Sequence, residues 1–228
     1  MGSDSMGEKP TLFDETANDF ASKFDRLIVA GRYRRGDLFI AAAKQSVPSG
    51  GYILDYGCGP GRISALLGGQ GFRVLGIDPS PEMISVAKRQ KAELPSVEFR
   101  VFESRPLDVA EGTFDAIVCS SVIEYEPRPE ELVSRFIAAL RPGGALIISF
   151  ANSRSISRAL FQRRNLHLAA QQHTWSWIQF KGLLENAGFN LVGGAVYFES
   201  FFDRVAPLRF VSSWQYAGAL GLVVAVKK

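Results

Sequence analysis

The chain has little with which to bind a metal or cross a bilayer. It has two cysteines and two histidines in 228 residues. Cys58 and Cys119 follow no metal-ligand spacing, so the expectation is free thiols in a reducing cytoplasm and no metal centre. No apolar run reaches the ~18 to 20 residues of a membrane-spanning helix. The opening MGSDSMGEKP is polar, with no basic region leading into an apolar stretch, so no secretory signal is expected and the expected location is cytoplasmic. Charge of one sign is also scarce. Against 26 Lys and Arg stand 23 Asp and Glu, a net +3, too little to argue for the concentrated basic face that holds nucleic acid. Neither a nucleic-acid partner nor stable membrane insertion is expected; internal repeats and low-complexity tracts are absent.

Hydrophobic residues at 46% and charged ones at 21% suit a soluble chain with one substantial core. Strands are expected at 51–56, 72–77, 97–102, 114–119 and 144–150. Helices are expected at 34–46 and 175–187, the latter closed by Gly188. Residues 11–30 place Phe13, Ala17, Phe20, Phe24 and Leu27 at steps of three and four, an amphipathic helix. Strands alternating with helices imply a parallel sheet with right-handed crossovers, and a ligand at the carboxyl ends of the strands where their order reverses. The single domain divides into a helical lead (1–47), a ligand-binding core (48–151), an excursion (152–173) and a C-terminal part (174–228).

Within the core, ILDYGCGPGR at 53–62 is an apolar strand ending near Asp55, then Gly57, Gly59 and Gly61, then a helix start. A turn this tight needs backbone angles closed to residues with a Cβ. A dinucleotide fingerprint would put its third glycine at position 62, where this chain has Arg62. For the loop alone, an ordinary glycine-rich turn is the other reading. The next strand, RVLGID, ends at Asp78, an acid able to accept two hydrogen bonds from a ribose diol. Ser80 and Pro81 then open a helix. A third strand, VEFRVF, ends at Glu103, and 12 residues on comes Asp115 in GTFDAIVCSS. The stretch SSVIEYEPRPEELVSRFIAALRPGGALIISF supplies a strand end, a helix and a Pro-Gly-Gly turn into the fifth strand.

In this order the motifs resemble those of the class I S-adenosylmethionine-dependent methyltransferases, over roughly residues 11–194. The resemblance implies an α/β, Rossmann-like, seven-stranded, mostly parallel sheet of order 3-2-1-4-5-7-6, the last strand antiparallel, with helices on both faces. It implies S-adenosylmethionine as cofactor and S-adenosylhomocysteine as product. Gly57, Cys58, Gly59 and Gly61 would wrap the methionine part, with Asp55 near its amino group. Asp78 would bind both ribose hydroxyls, beside Pro79 and Met83. Glu103, where Asp is commoner, would accept from the adenine amino group next to Ser104, and Cys119 and Ser120 would complete the set. Glu124 and Tyr125 stand where the family usually has Glu-His, which removes that histidine from any mechanism. FDETANDF and the Glu-Tyr pair look like the branch of quinone-biosynthesis and small-molecule methyltransferases.

Methyl transfer requires acceptor atom, methyl and sulfur in line, about 3 Å apart before attack, and a base when the acceptor is a hydroxyl or carbon acid. Candidates are His173, Tyr125, His167 and Glu124. Each has a plainer reading: His173 bracing the last helix, His167 exposed, Tyr125 packing beside the cofactor, Glu124 paired with an arginine. Arg154, Arg158, Arg163 and Arg164 make the excursion either a solvated face or a lid that attracts an anionic acceptor. Aromatics at 199–219 read either as core or as one wall of an apolar acceptor pocket. The expected activity is methylation of a small molecule, at oxygen. N- or C-methylation, or a catalytically silent cofactor-binding partner subunit, are the alternatives; an oxidoreductase would need the glycine at 62.

Overall fold

The computed structural model describes residues 13–19, 22, 34–90, 94–102, 109–161, 170–197, 206–207 and 219–228. Its centre is a sheet whose inner strands are apolar on both sides. β1 (Tyr52–Tyr56), β2 (Arg73–Asp78), β3 (Val97–Val101), β4 (Phe114–Cys119) and β5 (Leu140–Ala151) run parallel in the order 3-2-1-4-5. Adjacent residues in a strand point to opposite faces. Ile53, Val74, Ala116 and Ile147 therefore enter one core, and Leu54, Leu75, Ile117 and Leu146 enter another. With both faces covered, the inner strands read as near-continuous apolar runs, whereas the edge strand β3 alternates, with Glu98 and Arg100 exposed.

Two sets of helices cover those faces. α1 (Arg34–Ser46), α2 (Arg62–Gly68) and α3 (Pro81–Gln90) bring Phe39, Leu67 and Ile84 to the first core. α4 (Pro129–Ala139) and, past the short α5 (Ile156–Phe161), α6 (Trp177–Asn186) bring Phe136 and Phe180 to the second. Pro129 opens α4 at a position that needs no N–H donor. A capping box between Ser176 and Gln179 opens α6, and Gly188 follows its end at φ 101°.

β6 (Phe189–Tyr197) and β8 (Leu220–Lys227) complete the expected order, with β8 between β5 and β6 and antiparallel to both. β7 (Ala206–Pro207) adds a two-residue edge strand on β6, too short to leave an alternating pattern. The expected Pro-Gly-Gly turn is a bulge inside β5: Phe114 pairs with Leu140 and Ala116 with Ala145, and the intervening Gly143 has φ 73°. Of the lead helix, residues 13–19 are helical, and Ala17 packs with Met83 and Val86 of α3. Phe20, Phe24, Leu27 and the aromatics at 199–205 and 208–218 lie outside the described residues. Among the described residues no helix is long and apolar enough to cross a membrane.

Phe180 ties α6 to the sheet, stacking on Phe150 at 4.2 Å and meeting Trp175 edge-on at 5.4 Å. Replacing this buried ring with Ala should cost about 3 to 5 kcal/mol, read as a lower urea midpoint with an unchanged slope.

Candidate active site

The loop from β1 to α2 is built from the backbone of β2. The carbonyl of Ile77 accepts from the N–H of Gly57 (2.8 Å) and of Cys58 (2.9 Å). Gly57, Gly59 and Gly61 have φ of 68°, 53° and 78°, in the region that favours glycine. Packing adds a second demand at two of them. A Cβ on Gly57 would lie 2.4 Å from Val122, and one on Gly61 would lie 2.5 Å from Phe99. At Gly59 a Cβ would meet nothing closer than the Met83 sulfur at 4.0 Å, so open space lies over that residue and a ligand can approach the chain there.

Asp78, at the end of β2, holds the loop against the next helix. Its Oδ2 accepts from Gly59 N–H at 2.8 Å and its Oδ1 from Ser80 N–H at 3.0 Å. Ser80 caps α3 by accepting from Met83 N–H and donates to Asp14 of the N-terminal helix. Asp55 is buried, 1% exposed, and accepts from the Ser64 hydroxyl at 2.5 Å. Burial pushes Asp55 up to about 7 and Asp78 up to about 6, against the Ser64 bond in one case and the backbone bonds in the other.

These groups line a cavity of about 300 Å³ at the carboxyl ends of the parallel strands. Of the residues expected from sequence, it brings together Asp55, Gly57, Cys58, Gly59, Asp78, Pro79, Met83, Ser120 and Tyr125. Gly61 sits behind the loop on Phe99, and Cys119 is buried in the second core. Glu103, Ser104 and His167 lie outside the described residues. The His173 ring is stacked on Trp175 at 5.6 Å, and the His173 backbone N–H donates to the Glu124 carbonyl at 3.0 Å. Tyr125 meets Phe13 edge-on at 5.3 Å, so the N-terminal helix walls the cavity too.

Glu124 is fully buried behind this wall. The excursion after β5 leaves and returns at one place, where Asn152 and Trp175 bridge. It carries the buried Arg158, which donates to Gln171 Oε1. The Gln171 amide nitrogen lies 3.4 Å from Glu124 Oε1 and 3.3 Å from the Tyr125 hydroxyl. Arg154 occupies a turn before α5, its N–H donating to Asn152 Oδ1, so it shares no helix face with Arg158. Arg163 and Arg164 lie outside the described residues.

No local sequence pattern marks the other residues around the cavity as site residues. Arg35 comes from α1 and reaches the Ser120 hydroxyl at 3.4 Å. Arg62, Phe102, Ser121, Val122 and Glu126 also line the space. Ser121 carries a rare positive φ of 55° outside glycine, its N–H donates to the Ser149 hydroxyl at 2.8 Å, and its own Oγ is buried with no hydrogen bond among the described residues. Strain and an unmet hydroxyl together mark a site where ligand contacts are due.

A family model described as a methyltransferase domain matches residues 29–193. A ubiquinone biosynthesis O-methyltransferase from Xanthomonas axonopodis pv. citri is 34% identical over 115 residues, 50% of this chain and 48% of that protein. The mouse mitochondrial ubiquinone biosynthesis O-methyltransferase is 32% identical over 164 residues, 65% of this chain and 44% of that protein. The chain thus spans about half the length of these curated relatives. Among solved structures, the Haloferax volcanii protein in complex with the Trm112 methyltransferase activator aligns with a TM-score of 0.71 at 20% identity, covering 96% of this chain and 99% of that one.

Asp55, Asp78 and Glu124 (up to about 7) all hold protons that the unfolded chain releases at ordinary carboxylate values. Their stabilising contribution is full below those values and is lost as pH rises through about 6 to 7. The melting temperature of the ligand-free protein should therefore fall between about pH 5 and 8, and Asp55→Asn should flatten the fall. A melting temperature that rises over this range would contradict the burial account.

Proposed function

The chain belongs to the class I S-adenosylmethionine-dependent methyltransferase family, and on that premise we propose that it methylates a small molecule at oxygen. The observation that carries this reading is a single cavity at the strand ends, lined both by the Asp78-anchored glycine loop and by the apolar side chains of Phe13, Val122 and Tyr125. The relatives named as ubiquinone biosynthesis O-methyltransferases support oxygen as the acceptor atom.

The open space over Gly59 and the two buried carboxylates fit the cofactor. Asp78 would accept from the ribose hydroxyls with the lone pairs its backbone bonds leave. The loop backbone at 57–59 would run along the methionine part, with Asp55 on its amino side. Bound there, S-adenosylmethionine supplies an already activated methyl on a cationic sulfur. Both carboxylates, neutral at lower pH, are stabilised as anions by a nearby cation. The Tyr125 ring can face positive charge, and burial pushes its hydroxyl up to about 12, so it remains protonated and serves as wall and hydrogen-bond donor rather than as base. Phe13 and Tyr125, in edge-on contact on the cavity wall, would shield a bound acceptor from water.

A panel of phenols, catechols, amines and carbon acids incubated with S-adenosylmethionine tests the proposal. S-adenosylhomocysteine should form with hydroxyl acceptors. Product with amines alone would reassign the acceptor atom, and cofactor binding without product across the panel would favour a silent subunit.

A further inference from the structure

Glu124 stands one residue behind the cavity wall, and its surroundings are unlike those of Asp55 and Asp78. It is 0% exposed. Oε1 has the long contact to Gln171, whereas Oε2 is buried with no hydrogen-bond partner among the described residues. Its backbone carbonyl accepts from the N–H of both Gln172 (2.8 Å) and His173 (3.0 Å). Every one of these contacts joins the turn at Ile123–Tyr125 to the returning end of the excursion, residues 171–173.

The orientation of the Gln171 amide follows from chemistry. Arg158 can only donate, so the oxygen of Gln171 faces Arg158 and its nitrogen faces Glu124 and Tyr125. The Tyr125 hydroxyl, at the wall, is thereby linked to Arg158 on α5 through one side chain. Displacing 171–173 from the turn would remove Gln171 from Tyr125 and open Glu124 to water.

A carboxylate with an unpartnered oxygen away from water is costly when charged and cheaper when neutral. The charged and titratable groups facing Glu124 are Arg35 from α1, Arg158 from α5, Cys119 from β4, and Tyr125 beside it on the turn; Glu126 lies two residues on, and the His173 ring is turned onto Trp175. The two arginines favour the anion, but burial outweighs them.

We propose that Glu124 is a positioning residue for the acceptor: in its neutral form it latches residues 171–173, and with them Gln171 and Arg158, onto the turn that carries Tyr125, and its ionisation releases them. The sign follows from linkage. A released segment exposes Glu124 and restores its ordinary pKa, so the latched form binds the extra proton and is favoured at lower pH. This inference rests on the methyl-transfer reading only for its effect on the acceptor.

Hydrogen exchange at the Gln172 and His173 amides, corrected for intrinsic rates, tests the latch without any acceptor. Protection in the native sequence should drop about tenfold between about pH 6 and pH 8. In Glu124→Gln, neutral at every pH and nearly the same shape, it should stay at the low-pH level throughout, while Glu124→Ala should lose it at both. Where an acceptor is turned over, its KM should rise with pH in the native sequence and stay flat in Glu124→Gln, with the Kd for S-adenosylmethionine within about twofold. Protection that does not change with pH in the native sequence, or that keeps its pH dependence in Glu124→Gln, would overturn the proposal. Absence of product with every acceptor would count against the methyl-transfer reading alone, since the exchange result stands without it.

Discussion

One carboxylate ties the glycine-loop side of the cavity together. Asp78 accepts from Gly59 on one side and Ser80 on the other, joining the glycine loop to the start of α3 across the tip of β2. Hydrogen bonds to a charged group contribute about 1.5 to 3 kcal/mol each when buried, enough to fix a loop of glycines that would otherwise be costly to order. The Ile77 carbonyl completes the frame by taking two consecutive N–H groups. The loop is thus shaped before a ligand arrives, and binding need not bear its ordering entropy.

The same arrangement concentrates carboxyl groups out of water. Asp55, Asp78 and Glu124 are all raised toward neutrality, chiefly by burial. For Asp55 and Asp78, which line the cavity, a bound cationic ligand would answer the missing charge. Glu124 is one step removed and is answered from the protein side by Arg35 and Arg158. Similar residues thus differ in what each faces: two line the cavity, and one faces the returning end of the excursion. Both settings draw on the same quantity, the difference in proton affinity between a dry and a wet carboxyl.

Legibility in the sequence followed locality. Gly57, Gly59, Gly61 and Asp78 are set by a tight turn and a strand end, so a few neighbouring residues announce them. Most strands are likewise readable from their own apolar runs, whereas the order in which they pair comes only from the family resemblance. Arg35, Phe13 and Gln171 reach their places from elements far away in sequence, and nothing local marks an arginine on α1 or a glutamine in a loop as a neighbour of β4. Arg154 and Arg158 stand four apart, the spacing of one helix face, but the helix begins only at Ile156, leaving one arginine exposed in a turn and the other buried against Gln171. The Pro-Gly-Gly segment read as a turn and is a bulge, a distinction set by pairing with β4 rather than by composition.

The central claim is that Asp78 both builds the loop and holds the ribose of the cofactor. Calorimetric titration of S-adenosylmethionine into the native sequence and Asp78→Ala, each checked by circular dichroism for a folded chain, tests it directly. The account predicts that the substitution weakens binding by about tenfold or more while the fold persists. Equal affinity in the two proteins would contradict it.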